Sequence, residues 1–174
     1  MSTKLLLLRH AKSSWSLDGL VDSERPLNKR GKEASRIIGD YIAKRDLLPD
    51  VVVSSPALRA RETLAGLDER WPDSVPVVFE PVIYGASASE LLSCIQAQTK
   101  GVQTILVVGH NPGIESLALS LDPNGPDKLV GKITKNFPTC ALAIFRCGDS
   151  WTRLLAGETI LEDFVEPKNF NLGA

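Results

Sequence analysis

The chain reads as an α/β protein, a three-layer α/β/α sandwich with a mostly parallel central sheet and a C-terminal antiparallel hairpin. Three observations predict it. Short apolar runs that do not alternate, KLLLL at 4–8, VVV at 51–53 and TILVV at 104–108, suit strands buried on both faces. Segments of helical period separate them, and strands alternating with helices imply right-handed crossovers and a covered parallel sheet. Near the C-terminus, CALAIFRC at 140–147 and WTRLLAG at 151–157 flank the short turn GDS, which predicts the hairpin.

The helices follow in order. In NKRGKEASRIIGDYIAK, Ala34, Ile37, Ile38, Tyr41 and Ile42 share one face, with Asn28 as a cap. Ala60, Leu64, Leu67 and Trp71 form a second stripe; Leu91, Leu92 and Ile95 a third; Ile114, Leu117, Ala118 and Leu121 a fourth. The stretch 122–138, with Pro123, Gly125, Pro126 and Pro138, is expected to be irregular.

With 174 residues, 43% of them hydrophobic, one core and one domain spanning 1–174 are expected. A formal net charge of -1, from 20 basic and 21 acidic residues, offers no general attraction to nucleic acid or an anionic membrane. The run Leu5–Leu8 is too short for a signal peptide, and no apolar stretch approaches the roughly 20 residues needed to span a bilayer. Cys94, Cys140 and Cys147 match neither a metal motif nor a disulfide framework, so reduced core thiols and a cytoplasmic location are expected.

Ligands of an open α/β sheet bind beyond the carboxyl ends of its strands. Arg9 and His10 follow the first apolar run, SSPALR follows the second, and GHNPG with His110 follows the third, so both histidines of the chain end buried strands. Ser55 and Pro56 read as the cap and first position of a helix, and Arg59 one turn in leans back over the strand ends, whereas Arg61 points to solvent. Asn111 and Pro112 read as another helix start whose free N–H groups face an anion. The long loop Ala11–Leu27 delivers Arg25, with Ser13, Ser14 and Trp15 at the rim. Two histidines and three arginines without a cysteine nucleophile or a cluster of acids suit phosphoryl transfer. Guanidinium forks bind the phosphoryl oxygens, and a neutral histidine attacks phosphorus.

These motifs resemble the histidine phosphatase superfamily, of phosphoglycerate-mutase-like fold, and within it the short phosphohistidine phosphatases of the SixA type. The matching pieces run in order over 4–113: LLLLRHAKSSW, ERPLNKRG, VSSPALRARET, YGAS and VVGHNPG. The resemblance implies that His10 is the nucleophile and that Arg9, Arg25 and Arg59 bind the phosphoryl group. It further implies that His110 contacts that group, that Asn111 adds a backbone N–H, and that no metal or organic cofactor is used. Ala11 stands where many relatives have glycine, and Glu80 is the candidate general acid, Glu90 and Glu115 reading as a helix-start charge and a surface residue. A weak or absent acid suits the labile P–N bond of phosphohistidine better than an alkyl phosphate. The expected function is a phosphatase acting on phosphohistidine in proteins. The alternatives are a phosphatase for small phosphate monoesters with Glu80 as acid, and a phosphoprotein-binding module without turnover.

Overall fold

The structure, a computed structural model, describes residues 3–15, 19–69, 71–72, 74–98, 101–155 and 157–170. Six strands form one sheet in the order β3-β2-β4-β1-β5-β6: β1 Lys4–Arg9, β2 Val51–Ser54, β3 Val77–Phe79, β4 Thr104–Gly109, β5 Leu142–Arg146 and β6 Ile160–Val165. The first four run parallel, while β5 pairs antiparallel with both β1 and β6. The three expected apolar runs are the three inner parallel strands β2, β4 and β1, and Leu5–Leu8 are fully buried. Alternate residues of each strand enter two separate cores. Leu5, Leu7, Ile105 and Val107 join one, and Leu6, Leu8, Leu106 and Val108 the other.

The helices are α1 Lys29–Lys44, α2 Leu58–Asp68, α3 Ala88–Gln96, α4 Gly113–Leu121 and α5 Asp127–Lys135. Asn28 caps α1 by accepting the Gly31 N–H, as expected, and a capping box of Ser87 and Glu90 starts α3. The buried face of α1 centres on Ser35, Ile38, Gly39 and Ile42, displaced from the purely apolar stripe. Packing explains the displacement. A Cβ on Gly39 would lie 2.3 Å from the Leu67 carbonyl oxygen and one on Gly66 2.0 Å from Ser35 Oγ, so α1 and α2 meet through their smallest residues.

Two expectations are corrected. The segment 122–138 contains helix α5; Pro126 precedes its first residue instead of interrupting it, and Ile133 anchors it in the core. The second hairpin strand is not at 151–157. Trp151–Arg153 form a 3-10 turn in which the indole N–H donates to the Val102 carbonyl, and β6 comes later in the chain. The edge strand β3, only three residues long, lies outside the apolar runs that the sequence made prominent. Cys140 and Cys147 are buried free thiols, while Cys94 is half-buried against the core.

Candidate active site

The parallel ladder places Arg9 of β1 opposite Gly109 of β4, so His10 and His110 leave neighbouring strands at the same level. The His10 N–H donates to the Gly109 carbonyl at 2.9 Å, and the two imidazole centroids are 5.0 Å apart. A Cβ on Gly109 would press on the Ile114 side chain at 3.1 Å, so the backbone here packs closely against α4.

Both histidines are buried. His10 Nδ1 lies 2.7 Å from the Ala11 carbonyl, and because a carbonyl only accepts, Nδ1 carries the proton. The lone pair is therefore on Nε2, where Arg59 Nε donates to it at 3.3 Å. Burial, reinforced by the charges of His110, Arg59 and Arg9, lowers the His10 pKa to about 3 despite the opposing carbonyl hydrogen bond. Burial and the same arginines lower that of His110 to about 4. Near neutrality both rings are uncharged.

Arg59 lies in the first turn of α2 and leans back over the strand ends, as its helical position requires; Arg61 is exposed and sits over the Phe79 ring instead. Thr63, one turn on, accepts the Ala11 N–H at 2.9 Å and donates to the Arg59 carbonyl at 2.6 Å, which ties α2 to the end of β1. Arg9 Nη1 donates to the Phe137 carbonyl at 2.9 Å, and its Nε is buried without a hydrogen-bond partner among the described residues, as is His110 Nδ1. Arg25 lies over the Trp15 ring at 3.5 Å and donates through Nη1 to the Ser14 carbonyl. Arg9, His10, Lys12, Ser13, Trp15 and Arg25 border an open cleft of about 380 Å³. A larger depression of about 610 Å³ on α5 contains none of the histidines or arginines named here.

Three local expectations change. Ser55 does not cap α2, whose N-cap is Ala57; Ser55 Oγ accepts the Ala57 N–H at 3.2 Å and bonds His110 Nε2 at 2.8 Å, holding the second imidazole. Asn111 does not cap α4, whose N-cap is Pro112 after a cis peptide bond; its amide donates to Glu115 and to the Phe137 carbonyl. Glu115, read as a surface residue, is half-buried and its charge opposes the burial effect on Arg9. Glu80 stands at the N-cap of the turn Pro81–Gly85, where its charge adds to burial in raising the Cys94 thiol pKa, and among the described residues no hydrogen bond or ion pair joins it to the histidines or arginines.

Two contributors escaped the sequence reading. Asp22 pairs with Arg25 and Arg59, and the Tyr84 hydroxyl donates to the same carboxylate. Tyr84 stands edge-on to His110 at 5.4 Å, so the motif YGAS reaches the site through its aromatic ring. The acid three residues before Arg25 was the available signal. Among the described residues, no three His, Cys, Asp or Glu side chains gather to hold a metal ion.

Paired histidines at parallel strand ends, surrounded by arginines, define a phosphatase of the histidine phosphatase superfamily, to which the chain belongs. The family model, Histidine phosphatase superfamily (branch 1), matches residues 5–83. The crystal structure assigned to the phosphohistidine phosphatase SixA of Agrobacterium tumefaciens superposes with a TM-score of 0.82 at 33% identity, covering 96% of this chain and 99% of that one. The phosphohistidine phosphatase SixA of Escherichia coli is 29% identical over 80% of this chain and 83% of its own length. An uncharacterized protein of Mycobacterium tuberculosis is 34% identical over 92% of this chain and all of its own. No described helix is long and apolar enough to cross a membrane.

Proposed function

We propose that the chain, a single domain over 1–174, is a cofactor-independent phosphatase that removes phosphoryl groups from phosphohistidine on proteins in the cytoplasm. The observation that carries this reading is the fixed tautomer of His10, whose Nδ1–H is held by the Ala11 carbonyl while Nε2 faces Arg59. A neutral imidazole aimed in this way is a nucleophile at ordinary pH. Nε2 forms a bond to phosphorus as the bond to the leaving nitrogen breaks, and that nitrogen takes a proton from solvent. Water then attacks the phosphorylated His10, releasing inorganic phosphate and restoring the imidazole.

Arg9, Arg25 and Arg59 offset the charge on the phosphoryl oxygens, and His110, braced by Ser55, adds a polar contact. Asn111 contributes through its backbone N–H at the turn before α4. Two features favour phosphohistidine over an alkyl ester: among the described residues Glu80 makes no bond to the histidines or arginines, and the cleft lies open beside Trp15, which is 79% exposed. Escherichia coli SixA, named for the same activity, supports the substrate class.

The test compares wild type with His10→Ala on a phosphohistidine-bearing protein and an aryl phosphate, together with acid-sensitive labelling by radioactive phosphate. The variant is expected to lose both turnover and label. Full activity in His10→Ala excludes the mechanism.

A further inference from the structure

If Arg25 and Arg59 are phosphoryl ligands, as proposed above, their donors are already engaged by an anion of the chain itself. Asp22 Oδ1 accepts Arg25 Nε at 2.9 Å and Oδ2 accepts Arg59 Nη2 at 3.0 Å, while the Asp22 carbonyl accepts Arg59 Nη1 at 2.6 Å. The remaining Arg59 donor edge, Nε, faces His10 Nε2. Carboxylate and phosphoryl oxygens present equivalent acceptors to a guanidinium fork, so the two anions compete for one set of donors.

We propose that Asp22 is an internal competitor of the phosphoryl group: its carboxylate holds Arg25 and Arg59 between turnovers, yields them to substrate, and retakes them as phosphate leaves. The arginines have separate supports that keep them in place during the exchange. Arg59 is only 7% exposed and rooted in α2, and Arg25 rests on Trp15 and the Ser14 carbonyl. The carboxylate, to which the Tyr84 hydroxyl also donates, is the more exposed partner and the one the exchange moves. Its side chain is 48% exposed, and it lies on the three-residue turn Asp22–Glu24 within the long loop between β1 and α1. A dianionic phosphoryl group brings twice its charge to the same donors. Asp22 thus weakens ground-state and product binding, which prevents released phosphate from blocking the site.

The experiment measures the Kd of inorganic phosphate by calorimetry, and phosphate inhibition with an aryl phosphate substrate, for wild type, Asp22→Asn, Asp22→Ala and Glu24→Gln. Glu24 is on the same turn, exposed, and among the described residues makes no bond to the arginines, so its variant changes charge without breaking a pair. Both Asp22 variants are expected to bind phosphate about tenfold more tightly, to show a lower KM and to suffer stronger product inhibition, with Glu24→Gln within about twofold of wild type. Unchanged or weaker phosphate binding in folded Asp22→Asn and Asp22→Ala, with turnover retained, overturns the exchange and makes Asp22 a brace for the arginines. An equal gain in Glu24→Gln overturns it in favour of long-range charge. Absence of phosphate binding and turnover in all four proteins overturns the phosphoryl reading of the site, and the exchange with it.

Discussion

The two buried histidines make folding stability depend on pH in a calculable way. Their pKa values fall from 6.5 to about 3 for His10 and about 4 for His110, mainly because burial disfavours the charged ring. Between these values and 6.5 the unfolded chain binds protons that the folded chain refuses, so stability falls as pH drops through this window. Each histidine costs about 1.4 kcal/mol per pH unit below 6.5, so acidifying from about pH 7.5 to about pH 5 removes about 4 kcal/mol in all. That is a large part of the total of roughly 5–15 kcal/mol available to a domain. No other histidine is present to confuse the measurement. Asp22, lowered to about 2 by its bonds to Tyr84, Arg59 and Arg25, loses stabilising interactions only at more acidic pH. Urea unfolding at the two pH values, in wild type and in the double variant His10→Gln, His110→Gln, isolates the effect. The midpoint of wild type is expected to fall by on the order of 2 M, and that of the double variant by much less. A wild-type loss below about 1 kcal/mol, or an equal loss in the double variant, refutes the reasoning.

Other outcomes can be measured alongside. The pH profile of kcat/KM should show no acid limb near 6.5, because His10 in the free enzyme is neutral down to about 3; an enzyme inflection at 6.5 would show that His10 takes a proton as readily as a solvated imidazole and refutes this expectation. Ser55→Ala removes the partner of His110 Nε2 and should lower kcat/KM by about tenfold in steady-state assays. Thr63→Val leaves the Ala11 N–H and the Arg59 carbonyl without their shared hydroxyl and should destabilise by about 1–3 kcal/mol in urea melts. Gly31→Ala drives a Cβ to 2.2 Å from the Lys12 carbonyl oxygen, and a loss of about 1–3 kcal/mol is expected by the same measurement.

The inner strands were readable because burial on both faces leaves long apolar runs, and strand ends then marked His10 and His110. Helical tilt likewise brought Arg59 back over the sheet. What escaped was written in contacts between distant segments. Ser55 looks like a helix cap in sequence, but with Ala57 taking that position its hydroxyl serves His110 from another strand. Asp22 is one acid in a polar loop, and only the folded arrangement of Arg25, Arg59 and Tyr84 around it gives it meaning. Prolines at 123, 126 and 138 suggested irregular chain, although one of them stands where a helix begins. The final strand was misplaced because Trp151 and Leu154 are apolar for core packing rather than for pairing.

The matched level of Arg9 and Gly109 has a wider consequence. The separation of the two imidazoles, 5.0 Å between centroids, follows the interstrand spacing of about 4.8 Å that every sheet repeats. The histidine pair is therefore gauged by backbone pairing in the middle of the sheet, whereas Trp15, Asp22 and Tyr84 come from surrounding turns and loops. Such a scaffold separates two kinds of inheritance: the loops can be exchanged around the site, while the spacing of the two histidines stays with the ladder.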